Sequence, residues 1–313
     1  MSAVALATIV ACSSPPPGRD SPIDSGGPTS SPTAETGTHA VGLSAACDPT
    51  DDPLRRRCVV HAEPPAAIRV RVARASGEGA ERVSESASAV DHVVSVVFLA
   101  PDTDYDYRVE GVDDPTRAVS GQFRTGPLPD GLDSRLDVIG AASAPYAGVN
   151  FPCAPNAVAA VYDTATGEPV WMHDLDPEGR FGFEHTVRFT DEHTVVGDSG
   201  GRVVEVGLDG QVALELVSGV DYDELLHHDL FTTADHLFAL HRIDGDPVLD
   251  GVVVFDRRTG ARVAQWDPRD HLAIPADASG DWMHLNGLAV GADGALVLSS
   301  FTQSSVLAVE GDP

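Results

Sequence analysis

The chain has 313 residues, enough for two domains, and its 48 acidic against 20 basic residues give a formal net charge of −28. Binding to nucleic acid requires a basic face, so this composition argues against a nucleic-acid partner. The chain carries no P-loop or dinucleotide-binding fingerprint, and we expect no cofactor.

The N-terminal segment 1–12 is apolar and ends with a small residue before Cys12. It resembles a bacterial lipoprotein signal in which Cys12 is lipidated after cleavage, and it is too short to span a membrane as a helix. A basic n-region is absent, so the true start codon would lie upstream. We expect an exported protein that is lipid-anchored in the bacterial cell envelope and meets the membrane only through that anchor. An ordinary N-terminus without a signal is the alternative.

Residues 13–41 are rich in Ser, Pro, Gly and Thr and contain almost nothing to bury, which predicts a flexible tether. From 42 to 127 the pattern changes to that of strands. Residues 67–72 alternate apolar and basic side chains, as a half-buried strand does. Residues 99–109 have the spacing of a corner at which a tyrosine hydroxyl bonds to the backbone. This part resembles fibronectin type III and immunoglobulin-like β-sandwiches, and we expect it to act as a spacer.

Cys47 and Cys58 are close enough in sequence to close a small disulfide loop in an oxidising compartment, although closeness in sequence does not establish the bonding geometry. Cys153 would then be unpaired. The breaker-rich stretch 126–131 predicts the boundary to a second domain, 132–313.

Within 132–313, short apolar runs recur in groups of up to four, with a period of roughly 40 to 60 residues that is typical of β-propeller blades. The clearest groups begin near Phe183, Leu226 and Trp282, and a partial copy spans 161–171. We therefore predict an all-β chain in which the sandwich is followed by an incomplete β-propeller. About four blades are present, and the last ends after its third strand.

Histidines recur at the start of the first strand of each group: His185, His227 with His228, and His284. The innermost strand of a propeller blade lines the central channel, so residues repeated there form a ring. We expect these histidines to converge, although hydrogen bonds to neighbouring loops would explain any one of them alone.

The motif D-W-x-H-x-N at Asp281–Asn286, the strand ending in Ser299-Ser300 and the element His227-His228-Asp229 resemble the bacterial arylsulfotransferases. The resemblance covers about residues 45–313. It implies an exported protein with an N-terminal β-sandwich before a six-bladed propeller.

The resemblance also implies a reaction. A sulfuryl group passes from a phenolic sulfate ester to a phenol through a sulfated histidine, without a nucleotide donor, so the partners are small aromatic sulfates and phenols. His284 and one of His227 and His228 would bind sulfate and act in acid–base catalysis, and His228 fits the repeat better. Asn286 would orient the substrate. The repeat itself adds His185 as a binding residue.

Two departures from the family pattern count against activity. Phe301 stands where the family has the arginine of S-S-R, and Arg242 is a candidate substitute. The family's nucleophilic histidine belongs to a later blade, which we expect to be missing after Pro313, so the chain would be a truncated relative. The open propeller edges would then favour self-association.

Two other functions stay open at this stage. One is a catalytically inactive propeller that binds a ligand or protein at the cell surface. The other is a divalent metal held by the histidines with Asp229. No zinc-type spacing accompanies these residues, so we expect no metal.

Overall fold

The computed structural model describes residues 42–129, 132, 135–140, 142, 144–151, 158–175, 177, 185–190, 193–199, 201–291 and 294–309. The regular secondary structure of the described residues is almost entirely strand, which confirms the predicted all-β class, and one short helix, α1, lies at Pro268–His271. Among the described residues, 42–128 and those from Pro129 onward form two compact units. The predicted signal, Cys12, the tether and Cys153 lie outside the described residues.

The helices of the described residues include none that is long and apolar enough to cross a membrane.

The first unit is a single antiparallel sheet of five strands. These are β1 (Leu43–Pro49), β2 (Arg56–Arg74), β3 (Arg82–Val96), β4 (Asp104–Gly111) and β5 (Ala118–Arg124). Their order is β1-β2-β4-β5, with β3 also paired to β2.

The long strand β2 makes this sheet curl. Its first half lies between β1 and β3, and its second half lies between β3 and β4, with a shift in register between His61 and Ala66. Alternate side chains of both halves enter one core, Cys58 and Val60 from the first and Val70 from the second. The strand predicted at 67–72 is therefore confirmed within β2. All five strands belong to one sheet, and the likeness to immunoglobulin or fibronectin type III sandwiches stays a prediction.

A hydrogen bond and a disulfide stabilise this unit in addition to its apolar core. The backbone N–H of Ala100 donates to the hydroxyl of Tyr105 at 2.7 Å, which confirms the predicted tyrosine tie at this corner. Cys47 lies directly opposite Cys58 in the β1–β2 register, and a disulfide joins the two residues.

The described strands of the second unit form four small antiparallel sheets, each a meander of consecutive strands. The first has β6 (Tyr146–Phe151), β7 (Val158–Asp163) and β8 (Pro169–Asp174). The second has β9 (His185–Phe189), β10 (Thr194–Ser199), β11 (Arg202–Gly207) and β12 (Val212–Val217). The third has β13 (Leu225–Thr232), β14 (His236–Ile243), β15 (Leu249–Asp256) and β16 (Arg262–Trp266). The fourth has β17 (Leu285–Val290), β18 (Leu296–Ser300) and β19 (Ser305–Val309).

The four-stranded repeats predicted around His185 and His227 are confirmed by the second and third sheets. Their hairpin loops follow from sequence. In the loop Asp256–Gly260 the Asp256 carboxylate accepts the Thr259 N–H, and Gly260 takes a left-handed φ of 72° that favours glycine. The partial copy 161–171 uses the same loop chemistry at Asp163, and β6 adds a strand that the sequence pattern did not predict.

Neighbouring sheets meet through their first strands, in the order β6, β9, β13 and β17. Apolar side chains fill the space between the faces of the sheets. One cluster joins the second and third sheets through Val196, Leu230 and Val253, and another joins the third and fourth through Val252, Trp266 and Leu298. This packing places the first strands of different sheets side by side, as propeller blades do.

Candidate active site

Two first strands are irregular where they carry histidines. The pairing of β13 with β14 breaks between Leu226 and Leu230, so 227–229 form a bulge in which His228 has a φ of 58°. His284, just before β17, has a φ of 44°. Left-handed conformations are uncommon outside glycine and cluster at functional sites, and bulges redirect side chains in the same places.

The two irregular strands bring three imidazole rings together. The ring centroids of His227 and His228 are 4.9 Å apart, and those of His228 and His284 are 5.2 Å apart. His284 immediately precedes β17 of the fourth sheet, and the other two residues lie in β13 of the third. We call His227, His228 and His284 the histidine cluster.

Two members of the histidine cluster are paired with carboxylates through opposite ring nitrogens. His227 Nε2 lies 3.1 Å from Asp250 Oδ1, and His284 Nδ1 lies 2.5 Å from Asp281 Oδ2. A carboxylate can only accept, so the ring nitrogen that faces it carries the proton. His284 is left with Nε2 as its lone-pair nitrogen, the arrangement that acid–base and nucleophilic histidines use.

Asp250 is buried and serves two partners. Its Oδ2 accepts the backbone N–H of Leu285 at 2.6 Å while its Oδ1 contacts His227. Burial alone would raise the pKa of Asp250, but the hydrogen bond and charge of His227, the Leu285 N–H and the charge of His284 together lower it below its ordinary value. Asp250 is therefore an anion at neutral pH.

Asp229, the third residue of the bulge, ties three sheets together. Arg188 of β9 contacts both of its oxygens, at 2.8 and 2.7 Å, and Leu288 of β17 donates its backbone N–H at 2.9 Å. Asp229 and Asp250 thus hold the backbone of β17 at two points three residues apart. His284 lies immediately before the first point.

The predicted binding residues have different positions. Asn286 lies in the irregularity between Leu285 and Gly287 of β17, and its side chain is exposed. His185 opens β9, and its side chain lies outside what the structure describes. Arg242 is exposed and its guanidinium contacts Asp244 at 3.0 Å, and no contact with the histidine cluster is seen among the described residues. Its role as a substitute for the family arginine stays a prediction.

Phe301 lies directly beside His284. Its backbone N–H donates to the His284 carbonyl at 2.9 Å, and the two ring centroids are 5.5 Å apart. The Phe301 side chain is 69% exposed. Phe301 occupies the position at which the family pattern has an arginine. A side chain at this position therefore lies beside the histidine cluster.

Sequence reasoning assigned no role to Asp250, Arg188 or His241. One feature of the sequence could have pointed to Asp250, because it is a charged residue just before the apolar run Val252–Phe255.

His241 is buried. Its Nε2 lies 3.2 Å from the Gln265 side chain and its Nδ1 lies 3.3 Å from the Arg242 carbonyl, and burial lowers its pKa. A lowered pKa keeps His241 neutral.

Among the described residues, no three His, Cys, Asp or Glu side chains group as metal ligands.

Fold and site together define an all-β protein in which neighbouring blade-like sheets bring histidines and carboxylates to one place. Residues 149–313 match the arylsulfotransferase (ASST) family, and since this is more than half of the chain, the protein belongs to that family. The family expected from the sequence is confirmed. No curated protein matches the chain. Among solved structures, it is similar to a protein of unknown function from Bacteroides caccae, at 9% identity and a TM-score of 0.34, over 77% of this chain and 85% of that one.

Proposed function

We propose that this protein transfers a sulfuryl group from a phenolic sulfate ester to a phenol at the histidine cluster. The observation that carries the proposal is the meeting of His227, His228 and His284 from two sheets, with ring centroids 4.9 and 5.2 Å apart. Membership of the arylsulfotransferase family supports aryl sulfates and phenols as the substrates.

The chemistry needs one proton carrier and a source of positive charge. In the net reaction the bond from sulfur to the donor phenol oxygen breaks and a bond to the acceptor oxygen forms, while the acceptor proton ends on the leaving phenolate. His284 suits the proton transfer because Asp281 holds its Nδ1–H and leaves Nε2 to take and return a proton. His228, between the other two rings, would meet the sulfate oxygens.

Local cationic character matters here because the chain carries a net charge of −28 and would otherwise repel an anionic ester. Protonated imidazole in the histidine cluster supplies such character without a resident arginine.

The experiment is release of p-nitrophenol from p-nitrophenyl sulfate, with and without an added phenol, by the wild type and by His284→Gln. We expect acceptor-dependent release by the wild type and a loss of roughly 100-fold or more in the variant. His236→Gln is the matched control, since His236 lies at the far end of β14 from the site. A folded wild type without release, or a His284→Gln variant with undiminished release, would refute the proposal.

A binding module without catalysis is a second candidate, favoured by the exposed Phe301 ring at the position beside His284. An apolar ring cannot contact sulfate in the bidentate way that a guanidinium does. Calorimetric titration with p-nitrophenyl sulfate separates the two functions, because binding without turnover would favour the module.

We also propose that the protein is exported and held in the cell envelope by a lipid on Cys12. The disulfide between Cys47 and Cys58 supports an oxidising compartment. Membrane fractionation of a Cys12→Ala variant tests the anchor.

A further inference from the structure

We infer that Asp250 is a positioning residue that holds His227 in one tautomer and fixes the peptide bond after His284. The inference deepens the proposed function and rests on it for its catalytic consequence. Asp250 heads β15, belongs to the same sheet as His227 and reaches the first strand of the next sheet.

Both neighbours of the Asp250 carboxylate are donors. The Leu285 backbone nitrogen carries a proton that cannot move, so Asp250 Oδ2 must accept from it at 2.6 Å. The other oxygen, Oδ1, also has only lone pairs when the group is ionised, so the His227 Nε2 facing it must be the protonated nitrogen. In the neutral form of its ring, His227 therefore has Nδ1 as its lone-pair nitrogen.

Burial strengthens this restriction. The Asp250 residue is 3% exposed and the His227 side chain is 10% exposed, so water cannot readily replace either partner. An unpaired carboxylate at this position would carry a large desolvation cost. The pair keeps one arrangement because both alternatives, a bare carboxylate and a reversed imidazole, leave a buried group unsatisfied.

The hydrogen bond from the Leu285 N–H to Asp250 also restrains the backbone next to His284. The peptide unit that joins His284 to Leu285 is held on both sides, because the His284 carbonyl accepts from Phe301 N–H at 2.9 Å and the Leu285 N–H donates to Asp250. A planar peptide held at both ends cannot rotate. The held peptide directly follows His284, whose φ of 44° is left-handed, so the contacts limit rotation on its C-terminal side.

The test is Asp250→Asn, a change of nearly equal volume. Leu285 N–H still needs an acceptor, so the asparagine oxygen must face it, and the amide NH2 then points at His227 Nε2. We expect His227 to switch its proton from Nε2 to Nδ1, as read by ¹⁵N shifts of the histidine rings, while the thermal midpoint changes little. The sulfuryl transfer rate should fall roughly 100-fold, as with loss of other groups that orient a reactive histidine.

Two variants serve as references for the ring shifts. Asp281→Asn should change the ¹⁵N shifts of His284 and leave those of His227 as they are, since Asp281 contacts only His284 among the cluster. Asp244→Asn, at a carboxylate whose side chain is 90% exposed, should leave both rings unchanged.

Two outcomes would overturn the inference: His227 keeps Nε2–H in Asp250→Asn, or the tautomer switches and transfer stays within about twofold of the wild type. If Asp250→Asn fails to fold, the wild-type ¹⁵N shifts decide, since a neutral His227 with its single proton on Nδ1 contradicts the assignment. If the wild type shows no transfer, the proposed function fails, and the ring shifts still test whether Asp250 sets the tautomer.

Discussion

At the scale of single residues, the backbones of His228 and His284 explain how two strands can present their rings to each other. Each has a left-handed φ, which costs about 1 to 3 kcal/mol for a residue other than glycine. Glycine would relieve that cost and remove the imidazole. The strain is held by neighbouring hydrogen bonds, those of Asp250 and Phe301 at His284 and that of Asp229 after His228.

Phe301 is the residue whose replacement should change substrate binding most directly. We expect Phe301→Arg to lower the KM for p-nitrophenyl sulfate by about tenfold, the equivalent of one charge-assisted hydrogen bond, because a guanidinium beside His284 would contact the sulfate oxygens. Steady-state kinetics of the purified variant measures this.

The matched control is Val306→Arg. Val306 lies in β19, the strand after the turn that holds Phe301, and is 69% exposed, like Phe301. The Val306→Arg variant therefore adds the same charge at another exposed position. If both variants lower KM equally, the effect comes from net charge and not from a sulfate contact at position 301.

At the scale of elements, β17 is held to the third sheet by polar contacts as well as by apolar packing. Leu288 N–H donates to Asp229 and Leu285 N–H donates to Asp250, while Arg188 of β9 contacts Asp229 from the other side. A buried carboxylate with several donors is a specific way to set the register between strands of different sheets.

Asp229→Ala should therefore lower the free energy of unfolding by about 3 kcal/mol, since it leaves the buried Leu288 N–H and the partly buried Arg188 without their acceptor. Urea unfolding followed by tryptophan fluorescence measures the change. Asp244→Ala removes an exposed surface carboxylate and should change stability by less than about 0.5 kcal/mol. Equal losses in the two variants would contradict a special role for Asp229.

At the scale of the whole molecule, the two compact units are stabilised in different ways. The unit up to Leu128 has one curled sheet, one apolar core and a disulfide. The unit from Pro129 has several sheets with cores between them. The histidine cluster lies wholly within the second unit.

The proposed lipid anchor makes a prediction for the whole chain. The full chain expressed in a bacterial host should fractionate with the membrane, and Cys12→Ala should move it to the soluble fraction because acyl chains supply the membrane affinity. Ser13→Ala is the control and should stay with the membrane. Membrane association of the Cys12→Ala variant would remove Cys12 as the anchor.

Much of the architecture could be predicted from sequence because it is encoded locally. Alternating side chains at 67–72 and four successive apolar runs after His185 and after Leu226 specify strands with a period of two, and Asp256–Gly260 specifies its own hairpin loop. Even the meeting of His228 and His284 was foreseeable, since a residue repeated at the start of each blade recurs around one axis.

The curl of the first unit was not foreseeable in the same way. A local pattern identifies strands but does not say that β2 and β3 stay paired through a shift in register between His61 and Ala66, which joins all five strands into one sheet. Whether the hydrogen bonds between β2 and β3 continue past this shift in register depends on both strands, and the local pattern of one strand does not show it.

By itself, therefore, the sequence determined the all-β class, the repeat, the family and the candidate histidines, because each depends on spacing along the chain. Only the tertiary structure decided which carboxylate meets which imidazole. His227 and Asp250 are 23 residues apart, and Asp229 and Leu288 are 59 residues apart on different sheets. The direction of a side chain at a bulge depends on the sheets packed around it, and no local pattern in the chain carries that information.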